Sequence, residues 1–62
     1  MPHLLELFSG TGSIGKVFRD RGWTVTAVDI DSKFNPDICC DVLDLTNDMI
    51  TMTPDMIWAS PP

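Results

Sequence analysis

The sequence predicts an α/β fold built on a parallel sheet. Two observations carry this prediction: an apolar run near the start ends in a glycine-rich turn, and an amphipathic stretch then leads into a run of β-branched residues. Strands that alternate with a helix in this way form βαβ units. With 62 residues, the chain holds at most one small domain or a part of one.

The first strand and the helix after it follow from their apolar patterns. The run from about His3 to Phe8 is short, apolar and followed by serine and glycine, which is typical of a strand buried on both faces. Ile14, Val17 and Phe18 stand at helical spacing, with charged residues between and after them. They predict a helix from about Ser13 to Arg21.

Both ends of this helix carry local signals, and a second strand follows it. Thr11 and Ser13 are candidate caps for the start, and Gly22 is the expected left-handed stop. The apolar and β-branched run Trp23–Asp29 then predicts the second strand. Asp29 stands at the carboxyl end of that strand.

Two shorter strands are predicted in the second half of the chain. They are Asp37–Asp41 and Met56–Ala59, and Asn47–Met52 between them is long enough for one or two helical turns. Only seven residues, Ile30–Pro36, separate the second and third strands, which is short for a crossover between parallel neighbours. We therefore expect that crossover to be reduced to a turn, or the third strand to be a short edge.

The composition excludes several classes of protein. Hydrophobic residues make up 44% of the chain and charged residues 21%, which argues against a disordered tail or a coiled coil. No stretch approaches the ~20 apolar residues of a membrane span, so we expect no membrane partner. The net charge of -5 repels phosphate, and these residues alone should bind nucleic acid poorly.

The two cysteines indicate neither a disulfide framework nor a metal site. Cys39 and Cys40 are adjacent, which is poor geometry for pairing and lacks the spaced partners of a zinc site. We expect small buried strand residues, no bound metal and a reducing, intracellular setting.

The glycine turn is the most informative motif. Gly10–Gly15 reads G-x-G-x-x-G between a predicted strand and a predicted helix. Gly10 permits the tight turn, Gly12 lets a ligand approach the backbone, and Gly15 lets the helix pack closely on the sheet. By itself the hexapeptide is weak evidence, because such turns also arise wherever a chain reverses sharply.

Acidic and polar residues follow all four predicted strands. Asp29 lies nineteen residues beyond Gly10, where a carboxylate can bind the two hydroxyls of a ribose. The carboxyl ends of parallel strands share one edge of the sheet, which is where ligands bind in open α/β folds. The segments expected to converge there are Phe8–Gly10, Asp29–Ile30, Asp41–Val42 and Ser60–Pro61.

The acidic residues favour a cationic cofactor over a dinucleotide. A dinucleotide brings a doubly charged pyrophosphate, whereas S-adenosylmethionine brings a sulfonium and an ammonium with one carboxylate. Glu6 lies inside the apolar first strand, where a carboxylate is costly unless it is paired or hydrogen-bonded. A bond to backbone amides, a basic partner and a role at the cofactor all remain open for it.

These motifs together resemble the amino-terminal part of DNA cytosine-5 methyltransferases, particularly those of phage type. The segments that carry the resemblance are Leu5–Gly15, Val28–Asp31, Cys40–Val42 and Asp55–Pro62. They extend over nearly the whole chain. The resemblance implies a Rossmann-like class I methyltransferase fold, truncated after the fourth strand, in which residues 1–62 are part of the S-adenosylmethionine-binding domain.

The resemblance also implies a set of cofactor-binding residues. In this family an acidic-x-Phe-x-Gly-x-Gly motif surrounds the methionine part of the cofactor, and Glu6, Phe8, Gly10 and Gly12 match it. Asp29 holds the ribose, Ile30 packs on the adenine, and Asp41 addresses the adenine amino group. The full candidate set is Glu6, Phe8, Ser9, Gly10, Thr11, Gly12, Asp29, Ile30, Asp41, Val42, Ser60 and Pro61.

The implied activity is transfer of a methyl group to carbon 5 of cytosine in DNA. The family's nucleophilic cysteine is expected immediately after Pro62, so we place no catalytic residue in the 62 residues and expect them to be inactive alone. DNA would then be bound by other parts of the protein. The resemblance further implies the cytoplasm of a bacterial or phage-infected host cell and an association with restriction–modification; the oligomeric state stays open.

Alternatives remain on the same residues. Methyltransferases that act on exocyclic amino groups of bases have a catalytic loop that reads Ser-Pro-Pro and then an aromatic residue. Ser60-Pro61-Pro62 resembles the first three residues of that loop. The glycine turn also suits an NAD(P)- or FAD-dependent oxidoreductase, or a binding module without activity. Trp58 and Phe34 can be interpreted as base-stacking platforms, but we expect a core tryptophan that the loop phenylalanine covers.

Overall fold

The computed structural model of the protein describes residues 2–60 and shows one sheet with one α-helix in that range. The strands are β1 (His3–Leu7), β2 (Thr24–Asp29), β3 (Ile38–Cys39) and β4 (Met56–Ala59), and the helix is α1 (Ser13–Asp20). Single turns of 3-10 helix cover Ser32–Phe34, Val42–Asp44 and Asn47–Met49. No helix within residues 2–60 is long and apolar enough to cross a membrane.

All strand pairs in the sheet are parallel, and the order is β3-β2-β1-β4. This confirms the predicted α/β class with a parallel sheet. β2 and β4 lie on opposite sides of β1, so the direction in which strands are added reverses at β1. In open α/β sheets a crevice opens at the carboxyl ends of the strands beside such a reversal.

The core is centred on β1. Leu4 and Leu5 are both buried, as is Val28 on the neighbouring strand. Successive side chains of a strand point to opposite faces of the sheet, so burial of both leucines means that β1 is covered on both sides. The short apolar run predicted this arrangement correctly.

The start of α1 differs from the prediction. Gly12 occupies the N-cap position with φ 78°, and no side chain caps the helix. The hydroxyls of Thr11 and Ser13 lie 3.0 Å apart and bond to each other instead. The capping prediction was wrong because the left-handed turn lets the backbone begin the helix without a side chain. Gly22, with φ 87°, is the left-handed stop that the sequence predicted.

The second crossover is reduced to a turn, and β3 is a short edge strand, as predicted. The connection after β2 contains only the single turn Ser32–Phe34. β3 has two residues, fewer than predicted. The aspartates that flank it, which were predicted to belong to the strand, bind backbone N–H groups of other segments with their side chains. Asp37 accepts the N–H of Ala27 at 2.7 Å, and Asp41 accepts the N–H of Leu43 at 3.0 Å.

Three expectations about side-chain burial were wrong. Cys39 is exposed and Cys40 only half-buried, because β3 is an edge strand. Val17, on the predicted apolar face of α1, is 50% exposed. Trp58 is 37% exposed because β4 is the other edge strand. Phe34, which was expected to cover Trp58, lies in the connection between β2 and β3, two strands away from β4.

The apolar β4 edge predicts that the 62-residue chain is only marginally stable by itself. Met56, Ile57 and Trp58 are all exposed, and a chain of this length buries only about 60% of its unfolded surface. We expect a free energy of unfolding below about 3 kcal/mol. Urea titration of the 62-residue polypeptide, followed by far-ultraviolet circular dichroism, measures it. A cooperative transition with a clearly larger free energy would contradict the prediction.

Candidate functional site

The glycine turn leaves the end of β1 through left-handed backbone. Phe8, Gly10 and Gly12 have φ angles of 56°, 52° and 78°. The N–H of Gly12 donates to the carbonyl of Ser9 at 2.9 Å, which closes the turn. A Cβ at Gly10 or Gly12 would meet nothing within 4 Å. Glycine therefore serves the backbone conformation here, and the space beside the turn is open.

The carboxylate of Asp29 joins the glycine turn to the end of β2. Its Oδ2 accepts the N–H of Gly10 at 2.8 Å, and its Oδ1 accepts the N–H of Asp31 at 2.9 Å. The N–H groups of Asp31 and Gly10 hold the pKa of the Asp29 carboxyl below its ordinary value. The turn and the carboxylate thus share one rim of the sheet and are in direct contact.

A cavity of about 360 Å³ opens at this contact, and we call it the crevice. It combines the carboxyl ends of β1, β2 and β4 with the turn after β2. Two carboxylates, those of Asp29 and Asp31, face it together with apolar side chains. Its lining residues are Phe8, Gly10, Asp29, Ile30, Asp31, Phe34 and Ser60.

Five of the predicted site residues therefore come together in the crevice, and two lining residues were not among those predicted. Asp31 and Phe34 belong to the shortened crossover. Their position directly after the strand that ends in Asp29 was a sequence signal for both, and the aromatic ring of Phe34 had also been considered as a base-stacking platform. Ser60, at the end of β4, is held by a hydrogen bond of 2.7 Å from the indole N–H of Trp58.

A second cavity of about 370 Å³, which we call the basic cavity, also borders the glycine turn. It contains the predicted residues Ser9, Thr11 and Gly12, and Gly10 and Phe34 border both cavities. Two cations, Lys16 and Arg19, also line it. The guanidinium of Arg19 lies 3.7 Å from the carboxylate of Asp37. The crevice thus holds two carboxylates, whereas the basic cavity holds two cations and the carboxylate of Asp37.

Glu6 lies beneath α1 and does not line either cavity. It is only 3% exposed, and its Oε2 accepts the N–H of Gly15 at 3.3 Å, one of the arrangements the sequence left open. Burial raises the pKa of the Glu6 carboxyl, while the Gly15 N–H and Arg19 oppose the shift. A Cβ at Gly15 would lie 2.8 Å from Oε1 of Glu6. The predicted role of Gly15 in close helix packing is confirmed.

Asp41 and Val42, two further predicted site residues, are not among the residues that line the crevice. Asp41 accepts the N–H of Leu43 at the start of a 3-10 turn, and Val42 is the first residue of that turn. Neither lines the crevice, and their contact with adenine stays a prediction. Pro61 lies outside the described residues. Within residues 2–60, no group of three or more His, Cys, Asp or Glu side chains is placed to hold a metal ion.

Comparison with known proteins shows similarity to a viral protein of named activity. The chain is 43% identical over 61 residues, or 95% of its length, to a probable DNA (cytosine-5)-methyltransferase of Frog virus 3 (isolate Goorha). This similarity supports that family. The chain spans 28% of the length of this relative. No family profile matches the chain, and no solved structure matches it.

The buried Glu6 predicts a loss of stability as the pH rises. Its folded-state pKa lies above the ordinary value of 4.5, so the folded protein holds its proton longer than the unfolded chain does. This contribution is complete below the unfolded pKa and is lost as the pH rises through the folded pKa. We expect Glu6→Gln, which keeps an acceptor for Gly15 but does not titrate, to reduce that loss.

Urea midpoints of the full-length protein, measured at a series of pH values from 4.5 upward, check this. Asp48→Asn is the matched control, because Asp48 is an exposed carboxylate on the turn Asn47–Met49. It should leave the pH dependence unchanged. Parallel curves for the wild type and Glu6→Gln would contradict the buried, proton-retaining state of Glu6.

Proposed function

We propose that the chain forms part of the S-adenosylmethionine-binding domain of an enzyme that methylates carbon 5 of cytosine in DNA. The observation that carries the proposal is the hydrogen bond from the Gly10 N–H to the Asp29 carboxylate. It brings a turn open to a ligand and a strand-end acid into one crevice. The similarity to a probable DNA (cytosine-5)-methyltransferase supports the reaction class.

The Asp29 carboxylate keeps acceptor capacity for a ribose. A carboxylate offers about four lone-pair sites, and the backbone N–H groups of Gly10 and Asp31 each take one. The remaining sites can accept the two hydroxyls of a ribose diol. Because the carboxyl is held by backbone amides, it is oriented before a ligand arrives, which reduces the entropic cost of binding.

The charge of the crevice favours a cationic cofactor. Asp29 and Asp31 line it, and no Lys or Arg is among its lining residues. The ammonium of Lys33 lies 3.5 Å from the carboxylate of Asp31, so among the described residues Asp29 supplies the negative charge without a nearby cation. S-adenosylmethionine carries a sulfonium and an ammonium, which the Asp29 carboxylate attracts, whereas it repels a pyrophosphate. Phe8 and Ile30 supply apolar surface beside the carboxylates. In this proposal Glu6 belongs to the motif around the methionine part of the cofactor, as the resemblance implies. Asp41 addresses the adenine amino group, with Val42 beside it.

The rest of the proposed enzyme lies in other parts of a longer protein. The chain spans 28% of its relative, and its net charge of -5 opposes binding of a phosphate backbone. We therefore assign DNA recognition to segments outside these residues. A phage-type source and an association with restriction–modification stay proposals of the same kind.

One observation favours a different cofactor. The basic cavity places Lys16 and Arg19 beside the glycine turn and the start of α1, where a dinucleotide pyrophosphate binds in oxidoreductases with this motif. The Arg19 guanidinium is already close to Asp37, which weakens this case. Titration with both ligand classes distinguishes the two.

Isothermal titration calorimetry of the full-length protein tests the cofactor. We expect S-adenosylhomocysteine to bind more tightly than NADH. Asp29→Ala should weaken S-adenosylhomocysteine binding by about 10- to 100-fold, because hydrogen bonds to a charged group are lost. Asp48→Ala, which removes an exposed carboxylate outside the crevice, should bind like the wild type. Tighter binding of NADH would overturn the proposal in favour of an oxidoreductase.

The residue that follows Pro62 in the full-length protein tests the reaction. We expect a cysteine, whose thiolate attacks carbon 6 of the target cytosine in the implied mechanism. Replacing it with serine should abolish methylation of cytosine-containing DNA and leave the affinity for S-adenosylhomocysteine nearly unchanged. An aromatic residue at this position would support methylation of an exocyclic amino group, and full turnover of the serine variant would exclude the covalent route.

A further inference from the structure

We infer that Phe34 is a cofactor-binding residue and that its ring forms the surface on which the adenine of the cofactor stacks. This inference rests on the proposed function and adds a residue outside the segments that carry the family resemblance. Phe34 belongs to the shortened crossover between β2 and β3. In this chain a single turn of 3-10 helix thus takes part in binding the nucleoside.

The position of Phe34 relative to Asp29 carries the inference. Both residues line the crevice, as does Ile30. The base of a nucleoside is bonded to the ribose, so a ribose held by Asp29 places its base within a few ångströms of that carboxylate. The apolar surfaces available there are those of Phe8, Ile30 and Phe34. The two aromatic rings among them offer the π-faces on which bases stack.

A chain of hydrogen bonds holds Phe34 at a defined place beside Asp29. Oδ1 of Asp29 accepts the N–H of Asp31 at 2.9 Å, and Oδ1 of Asp31 accepts the N–H of Lys33 at 3.0 Å. The N–H of Phe34 then donates to the carbonyl of Asp31 at 3.3 Å. Asn35, with φ 49°, ends the turn. The carboxylate that binds the ribose therefore also helps to position the ring that binds the base.

Phe34 also borders both cavities. Gly10 and Phe34 are the residues common to the linings of the crevice and the basic cavity. Because Gly10 has no side chain, Phe34 is the shared residue whose side chain can contact a ligand. The ring is still 38% exposed, so a ligand can reach it.

Phe34 lies at the surface of the protein. The ammonium of Lys33 lies 5.1 Å from the centroid of its ring, and the Lys33 side chain is itself largely exposed. Binding of adenine would remove the exposed part of the ring from water, which is favourable for apolar surface.

Calorimetric titration of the full-length protein with S-adenosylhomocysteine and with adenosine tests the inference. Phe34→Ala should weaken binding of both ligands by a similar factor, about 5- to 100-fold, because base stacking on an aromatic side chain is lost. Phe34→Trp should bind within about threefold of the wild type, since it keeps a π-face. Leu43→Ala removes a side chain that is 91% exposed and does not line the crevice, and should have no effect.

The Phe34→Trp variant adds a readout that a structural role would not produce. Adenosine should quench the emission of the added indole more than it changes the emission of the wild type. Equal affinities for the wild type and Phe34→Ala, or equal losses in Phe34→Ala and Phe34→Trp, would overturn the inference while leaving the proposed function intact. A wild-type protein that binds NADH but not S-adenosylhomocysteine would overturn both.

Discussion

The hydrogen bond between the N–H of Gly10 and the carboxylate of Asp29 is the interaction on which the site depends. It fixes the turn after β1 against the end of β2. The second carboxylate oxygen of Asp29 binds the N–H of Asp31 and so orients the crossover that carries Phe34. One side chain therefore organises three backbone segments at the carboxyl edge of the sheet. The crevice exists because these segments are held together there.

Local patterns predicted much of the fold. The bounds of β4 agree with the sequence prediction, and α1 begins at Ser13 as expected. Gly15 and Gly22 serve the roles that the sequence indicated, one in close packing and the other as a left-handed stop. These features depend on short-range spacing and on backbone conformation, which the residue types themselves determine.

The features that the sequence did not predict depend on tertiary position. Cys39 and Trp58 were expected to be buried, but each lies on an edge strand. The short crossover indicated the edge position of β3, whereas the residue types of Met56–Ala59 do not mark β4 as an edge strand. The capping prediction for Thr11 and Ser13 was wrong because Gly12 adopts a left-handed conformation. Phe34 was considered as a base-stacking residue from the sequence, but the expected role was to cover Trp58, and only the structure placed it beside Asp29.

A structure of the full-length protein bound to S-adenosylhomocysteine tests the central claim most directly. The account predicts both ribose hydroxyls at about 2.5–3.0 Å from the oxygens of Asp29, with the bond from Gly10 to the same carboxylate retained. A ligand seated in the basic cavity beside Lys16, or an Asp29 side chain turned away from Gly10 in the complex, would contradict it.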